Sequence, residues 1–289
     1  MGILKLNYKA LRTLLAVLVI SLSASGCTIK FAYNFLDWGL YWELKDYVKF
    51  NQDQRLLVKD EISQLINWHR SAELPRYADQ LKKLSIGLES GMTAEQLEES
   101  YNNLRDSWRR IVIKALPAAI DIISNLNDQQ INDFFEMLIE KEGDDAKEIE
   151  NGTNARTLKK REAYVSKKIV GVIGKLNEDQ KSLIAQWVRG MKPTKELSLG
   201  HAIQWRNRMQ TVLAERHNER QLEKKLMVLF ANPDQLRSPS YRRVIEKNKR
   251  LIMQLLFDLN QTLTSQQRSK LVKKIQGFTE DFRDLSVRS

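Results

Sequence analysis

Apolar residues recur along this chain at alternating spacings of three and four, and two-residue alternation bounded by turn dipeptides is almost absent. Leu97, Tyr101, Leu104, Trp108 and Ile111 step 4, 3, 4, 3, and Leu271, Ile275, Phe278, Phe282 and Leu285 repeat that series near the C-terminus. Val58, Ile62, Leu65, Ile66 and His69 form a similar stripe, as do Val165, Ile169, Val172, Ile173 and Leu176. Such stripes line one face of a 3.6-residue helix, so the pattern predicts an all-α fold of amphipathic helices.

Helix starts carry a shared five-residue signature: an apolar residue, Thr or Asn, two variable positions, then Gln. It begins at Phe50-Asn51 with Gln54, Met92-Thr93 with Gln96, Leu126-Asn127 with Gln130, Leu176-Asn177 with Gln180, and Leu263-Thr264 with Gln267. The Thr or Asn side chain accepts from an orphan backbone N–H, while Gln three residues on reaches back, which is a capping box. Leu97 and Ile131 stand where a hydrophobic staple needs them. Successive caps are 42, 34, 50 and 87 residues apart. That is too uneven for a solenoid and predicts an irregular multi-helix bundle or array.

The widest gap leaves room for a long helix over roughly Leu197 to Phe230, with another beginning at Ser238-Pro239. Gly87, Gly91, Gly143, Gly152, Gly190 and Gly200 are expected helix ends. Pro117, inside a stripe, is expected to kink or break its helix at Leu116.

At the N-terminus the pattern changes. Lys5, Lys9 and Arg12 precede an apolar run from Leu14 to Leu22, and Ala24-Ser25-Gly26 lead into Cys27, the only cysteine. The run is too short to cross a hydrocarbon core as a helix, which needs about 20 residues. It reads as a cleaved signal peptide over residues 1–26. Ala24-Ser25-Gly26-Cys27 resembles a bacterial lipobox, with Ala24 where Leu is usual. The resemblance implies acylation of Cys27 on sulfur and on its new amino group. Thr28 in place of Asp implies, by the sorting rule of Gram-negative bacteria, the periplasmic face of the outer membrane.

Residues 27–289 then form a single expected domain, with no linker or low-complexity tract to divide it. The net charge of +11 falls to +8 once the three basic signal residues are removed. A basic balance often points to nucleic acid, but this address removes that partner. Anionic envelope polymer or another envelope protein is the available class of partner, with Lys159-Lys160-Arg161, Lys167-Lys168 and Arg242-Arg243 as basic clusters on helix faces.

Little chemistry is encoded. His69, His201 and His217 lie far apart without metal-ligand spacing, and no serine sits in a Gly-x-Ser-x-Gly elbow. Asp144 and Asp145 follow Gly143 and read as a polar loop. No metal, cofactor or catalytic residue is expected. The densest unusual cluster is Trp68, His69, Arg70, Glu73 and Tyr77 around Pro75. It reads as a packing corner with Arg70 and Glu73 paired, or as a recognition patch for a peptide or glycan. Phe31, Phe35, Trp38 and Trp42 share one helical face just after Cys27. That face either meets the bilayer or packs inward, and Leu36, Leu40 and Leu44 favour packing.

Tyr33-Asn34, Asp37-Trp38, Trp42, Tyr47, Trp68-His69-Arg70, Glu73-Leu74-Pro75-Arg76-Tyr77, Trp205-Arg206-Asn207-Arg208 and the late Leu-Thr-x-x-Gln together resemble a group of uncharacterised proteobacterial lipoproteins, a domain of unknown function. The resemblance implies a helical envelope lipoprotein and no activity. A shorter resemblance, through Leu-Thr-x-x-Gln alone, is to periplasmic chaperones of the Spy and CpxP type. The expected function is a non-enzymatic binding or scaffold protein of the envelope, with a tethered chaperone as the alternative and a cell-wall-active enzyme third.

Overall fold

A computed structural model of the chain describes residues 27–150, 155–231 and 233–287, and the expected signal segment and Gly152 lie outside them. Among the described residues all regular structure is helical. In chain order the α-helices are α1 Cys27–Asn34, α2 Leu36–Lys45, α3 Gln52–Trp68, α4 Leu74–Ser90, α5 Ala94–Ser124 and α6 Asp128–Glu150. They continue as α7 Ala155–Ile173, α8 Glu178–Gly190, α9 Lys195–Ala214, α10 Glu219–Ala231, α11 Pro239–Gln261 and α12 Ser265–Ser286. A π-helical turn, His69–Glu73, joins α3 to α4, and a 3₁₀ turn, Pro233–Leu236, precedes α11.

All five capping boxes form. Asn51, Thr93, Asn127, Asn177 and Thr264 each accept from the N–H of their Gln, and each Gln side chain accepts from the backbone N–H of its cap residue. The apolar residue before the cap and the one four past it join the same cluster at both expected staples, Met92 with Leu97 and Leu126 with Ile131.

Four of these boxes meet in pairs. Gln54 and Gln130, 76 residues apart, exchange amide hydrogen bonds of 3.1 and 2.7 Å. Gln54 Nε2 also donates to the carbonyl of Asn125, and Gln130 Nε2 to that of Lys49, at 2.6 and 2.8 Å. Gln180 and Gln267 repeat the arrangement with mutual bonds of 2.9 and 3.0 Å, donating to the carbonyls of Thr262 and Lys175. In all four cases the carbonyl lies five residues before the partner glutamine. Each amide thereby uses both its hydrogens and both its lone pairs, which is full satisfaction for a buried Gln. These reciprocal clasps hold the start of α3 to the start of α6, and the start of α8 to the start of α12.

Around the first clasp lies the largest apolar cluster. Phe50, Val58, Ile62 and Ile66 from the α3 region meet Leu126, Ile131, Phe135 and Leu138 of the α6 region, closed over by Trp205, Met209 and Leu213 of α9 and Leu222, Leu226 and Leu229 of α10. Around the second lie Ile173, Leu176, Ile184 and Val188 with Leu255 and Leu259 of α11. α4 packs along α12, its buried Ala78 and Ser85 letting the helices approach, with Leu88, Met92, Val272 and Ile275 forming a third cluster at one end.

Several expected boundaries move. The helix expected over Leu197 to Phe230 is two helices, because Arg216 turns inward between them. It is 6% exposed and donates to the carbonyls of Leu213 and Leu126 and to Asp128, which ends α9 and ties that end to the first clasp. Gly143, Asp144 and Asp145 lie within α6 rather than in a loop, and Gly87 and Gly200 are also helical. Gly91 does end α4, at φ +92°, a conformation that a Cβ would strain. Pro117 leaves α5 unbroken. It lies on the exposed side of the helix. The Ser238-Pro239 start of α11 forms as expected, Ser238 accepting from Tyr241 N–H.

The paired and unpaired boxes differ in a measurable way. Gln180→Leu strands the partner amide, the Thr262 carbonyl and the Asn177 N–H in a buried site, and is expected to cost about 3 kcal/mol. Gln96→Leu, in the box that remains single and exposed, should cost about 1 kcal/mol. Urea denaturation of the two variants reads the difference, and equal costs would remove the clasp as a stabilising device.

Candidate functional site

The π turn gathers the densest polar cluster of the chain. Pro75, the second residue of α4, has no N–H to donate to the Ser71 carbonyl, so the helix takes an extra residue into its turn, with Leu74 N–H reaching the His69 carbonyl. Ser71 Oγ donates to the carbonyls of Asn67 and Trp68, at 3.1 and 3.2 Å. The widened turn buries Glu73 completely. Its carboxylate receives two charge-assisted bonds from Arg110 of α5, Nε to Oε1 and Nη2 to Oε2, both 2.8 Å, with Arg76 at 3.5 Å. Arg110 also donates to buried Ser107. Arg110 and Arg76 thus hold the Glu73 carboxylate from two helices, while Arg70, the partner expected from the sequence, lies 5.4 Å from the centre of the Tyr33 ring.

On the other side of the turn, the Tyr33 hydroxyl is 2.9 Å from His69 Nδ1, and the two rings stack. Tyr77 meets His69 edge-on and then Phe282 of α12, with centroids 5.5 and 6.0 Å apart. Burial pushes the Tyr33 phenol up to about 12, against the nearby Arg70 charge, and raises Tyr77 as well. Burial lowers His69, outweighing the Glu73 charge. Burial thus favours the protonated phenol and the neutral imidazole, and the imidazole tautomer sets which of the two donates. Of the five expected patch residues, Glu73 is buried, Trp68, His69, Arg70 and Tyr77 are half-buried, and the cluster ties α1, α4, α5 and α12 together.

The remaining chemistry is dispersed. His201 is buried against Tyr241, and burial lowers its pKa too. Arg206 forms an ion pair of 3.0 Å with Glu142, both largely buried, beside the buried Trp205. No group of three His, Cys, Asp or Glu suited to a metal occurs among the described residues, and no helix there is long and apolar enough to cross a membrane. Cys27 is the first residue of α1.

The aromatic face of α1 and α2 is where the inward-packing expectation fails. Phe31, Phe35, Trp38 and Trp42 are 66%, 51%, 61% and 45% exposed. Tyr33, Leu36, Leu40, Tyr41 and Leu44 occupy the opposite face and pack on the large core. Both faces of this segment are apolar, and the core takes the aliphatic and tyrosine side. Sequence periodicity marked both faces, but only the packing partner separates them.

These features define an all-helical protein organised by paired capping boxes. Residues 46–242 match DUF6279, a family of unknown function, and the chain belongs to that family. The match takes in the first clasp and the π turn, and ends before Gln267. No curated protein and no solved structure matches the chain. The likeness to Spy and CpxP therefore rests on the short motif alone.

Two perturbations read these buried groups. Glu73→Ala leaves Arg110 without its buried partner and is expected to cost about 3 kcal/mol. His69 and His201 favour the neutral form when folded, whereas the unfolded chain takes up protons below about pH 6.5. Their contribution is complete above that pH and is lost as the pH falls toward the lowered folded values. Denaturation at about pH 7.5 and 5.5 should show lower stability in acid, and His69→Gln with His201→Gln should reduce that difference. A difference unchanged in the double variant would exclude the two imidazoles as its source.

Proposed function

We propose that this chain is an outer-membrane lipoprotein, attached through Cys27 on the periplasmic face, that works as a non-enzymatic binding or scaffold protein of the cell envelope. The observation that carries the reading is the sole cysteine at the end of a basic, apolar and small-residue run. Three or two acyl chains at one terminus are enough for stable attachment, since one chain alone holds only marginally. Partners of the expected kind are another envelope protein or an anionic polymer, for which the exposed Lys159, Lys160 and Lys167 of α7 supply charge.

The chaperone alternative rests on the short Leu-Thr-x-x-Gln motif alone. Four of the five motif glutamines join clasps and the fifth caps α5, so every copy of the motif has a structural use.

Cys27→Ser is expected to move the protein from the membrane fraction to the alkaline-soluble periplasmic fraction, or to leave it at its uncleaved size. A variant that fractionates and migrates like the wild type would end the lipoprotein reading.

A further inference from the structure

We propose that the face formed by Phe31, Phe35, Trp38 and Trp42 lies in the interfacial layer of a phospholipid bilayer, as a second membrane contact that fixes how the helical body stands on the surface. The proposal builds on attachment at Cys27 and adds to it a contact made by the fold itself.

The face is built from two ring pairs on one side of the segment. Phe31 and Phe35 have ring centroids 4.8 Å apart, and Trp38 and Trp42 5.6 Å apart. Its outward direction is imposed from behind, because Tyr33, Leu36, Leu40, Tyr41 and Leu44 are committed to the core. Lys30 is committed as well, to Asp281 at 3.1 Å and Asp284 at 2.6 Å on α12. The segment cannot roll its aromatic rings inward without breaking those contacts. Clustered exposed apolar surface of this kind marks an interaction site.

What covers it follows from where it sits. The chain that precedes the described residues is the basic and apolar run directed at a membrane, and it ends at Cys27, four residues before Phe31. Four helical residues rise about 6 Å, so a face that begins there starts at the bilayer surface once Cys27 is attached. Two of its four residues are Trp, whose amphipathic ring settles at the headgroup level. At the far end the exposed Lys45 ammonium stands 4.4 Å from the Trp42 ring, placed to reach lipid phosphates while its stem stays along the apolar face. The linkage at Cys27 keeps the local concentration of bilayer high, so even a weak interfacial contact is populated.

The test uses the full chain, purified from membranes and placed in vesicles of phosphatidylethanolamine and phosphatidylglycerol with brominated acyl chains. Bromine is expected to quench part of the fluorescence of its six tryptophans, and Trp38→Phe with Trp42→Phe should abolish the quenchable part while circular dichroism stays unchanged. A photo-reactive phenylalanine at position 35 in intact cells should give lipid adducts. Absent quenching, equal quenching in the variant, or crosslinks to a second copy of the chain or to another protein would overturn the proposal. Release by Cys27→Ser together with absent quenching would leave the anchor standing and remove only this contact. Quenching without release would do the reverse.

Discussion

A primary amide buried in a protein needs two acceptors for its hydrogens and two donors for its lone pairs, and few single neighbours supply both. In this chain the answer is another glutamine in the same situation. Each of the four paired capping-box glutamines offers its partner a carbonyl oxygen and an NH₂, and finds its own remaining needs met by one backbone N–H behind it and one carbonyl across the seam. Helix starts that would otherwise end in solvent are thereby welded in pairs. The loops that lead into α3, α6, α8 and α12 have their conformations set by the same bonds, since it is their carbonyls that receive the amides. Much of the folded arrangement follows from those two junctions.

Around the junctions the apolar side chains divide the labour. The first clasp is surrounded by the largest cluster, with Arg216 closing α9 onto it, and the second by a smaller cluster with Arg268 hydrogen-bonded to Asn260 nearby. Between them runs the contact of α4 with α12, for which the Glu73–Arg110 pair provides a fixed corner. A fully buried carboxylate is costly unless every oxygen is occupied, and here both are. The result is a body in which polar bonds specify which helices meet, and aliphatic packing supplies most of the favourable free energy.

How much of this was readable in the residues depends on range. The capping boxes were legible because cap and glutamine lie three residues apart, and all five formed. Their pairing was not, because Gln54 and Gln130 or Gln180 and Gln267 are brought together only by the fold. The same limit applies to Glu73, whose neighbour in sequence, Arg70, looked like its partner while Arg110 on another helix took that place. Gly143 was read as a stop, but a glycine in an otherwise helical stretch costs only about 1 kcal/mol, and the flanking helix carried through it. Arg216 ended a helix from the inside, where no breaker residue announced it. The aromatic stripe was found as a stripe, but α2 is apolar on two faces, and pattern alone has no means to choose between them.

The π turn has a consequence for evolution of the chain. One residue inserted into or removed from a helix rotates everything beyond it by about 100°, since 3.6 residues complete a turn. α3 and α4 act as a single shaft whose first half faces the large cluster through Val58, Ile62 and Ile66, and whose second half faces α12 through Ala78, Ser85 and Leu88. The wide turn is the phase shifter that lets one shaft serve two directions. Length changes that surface loops absorb freely are therefore forbidden across residues 69–75, where a single codon lost would swing α4 off its partner while leaving every side chain intact.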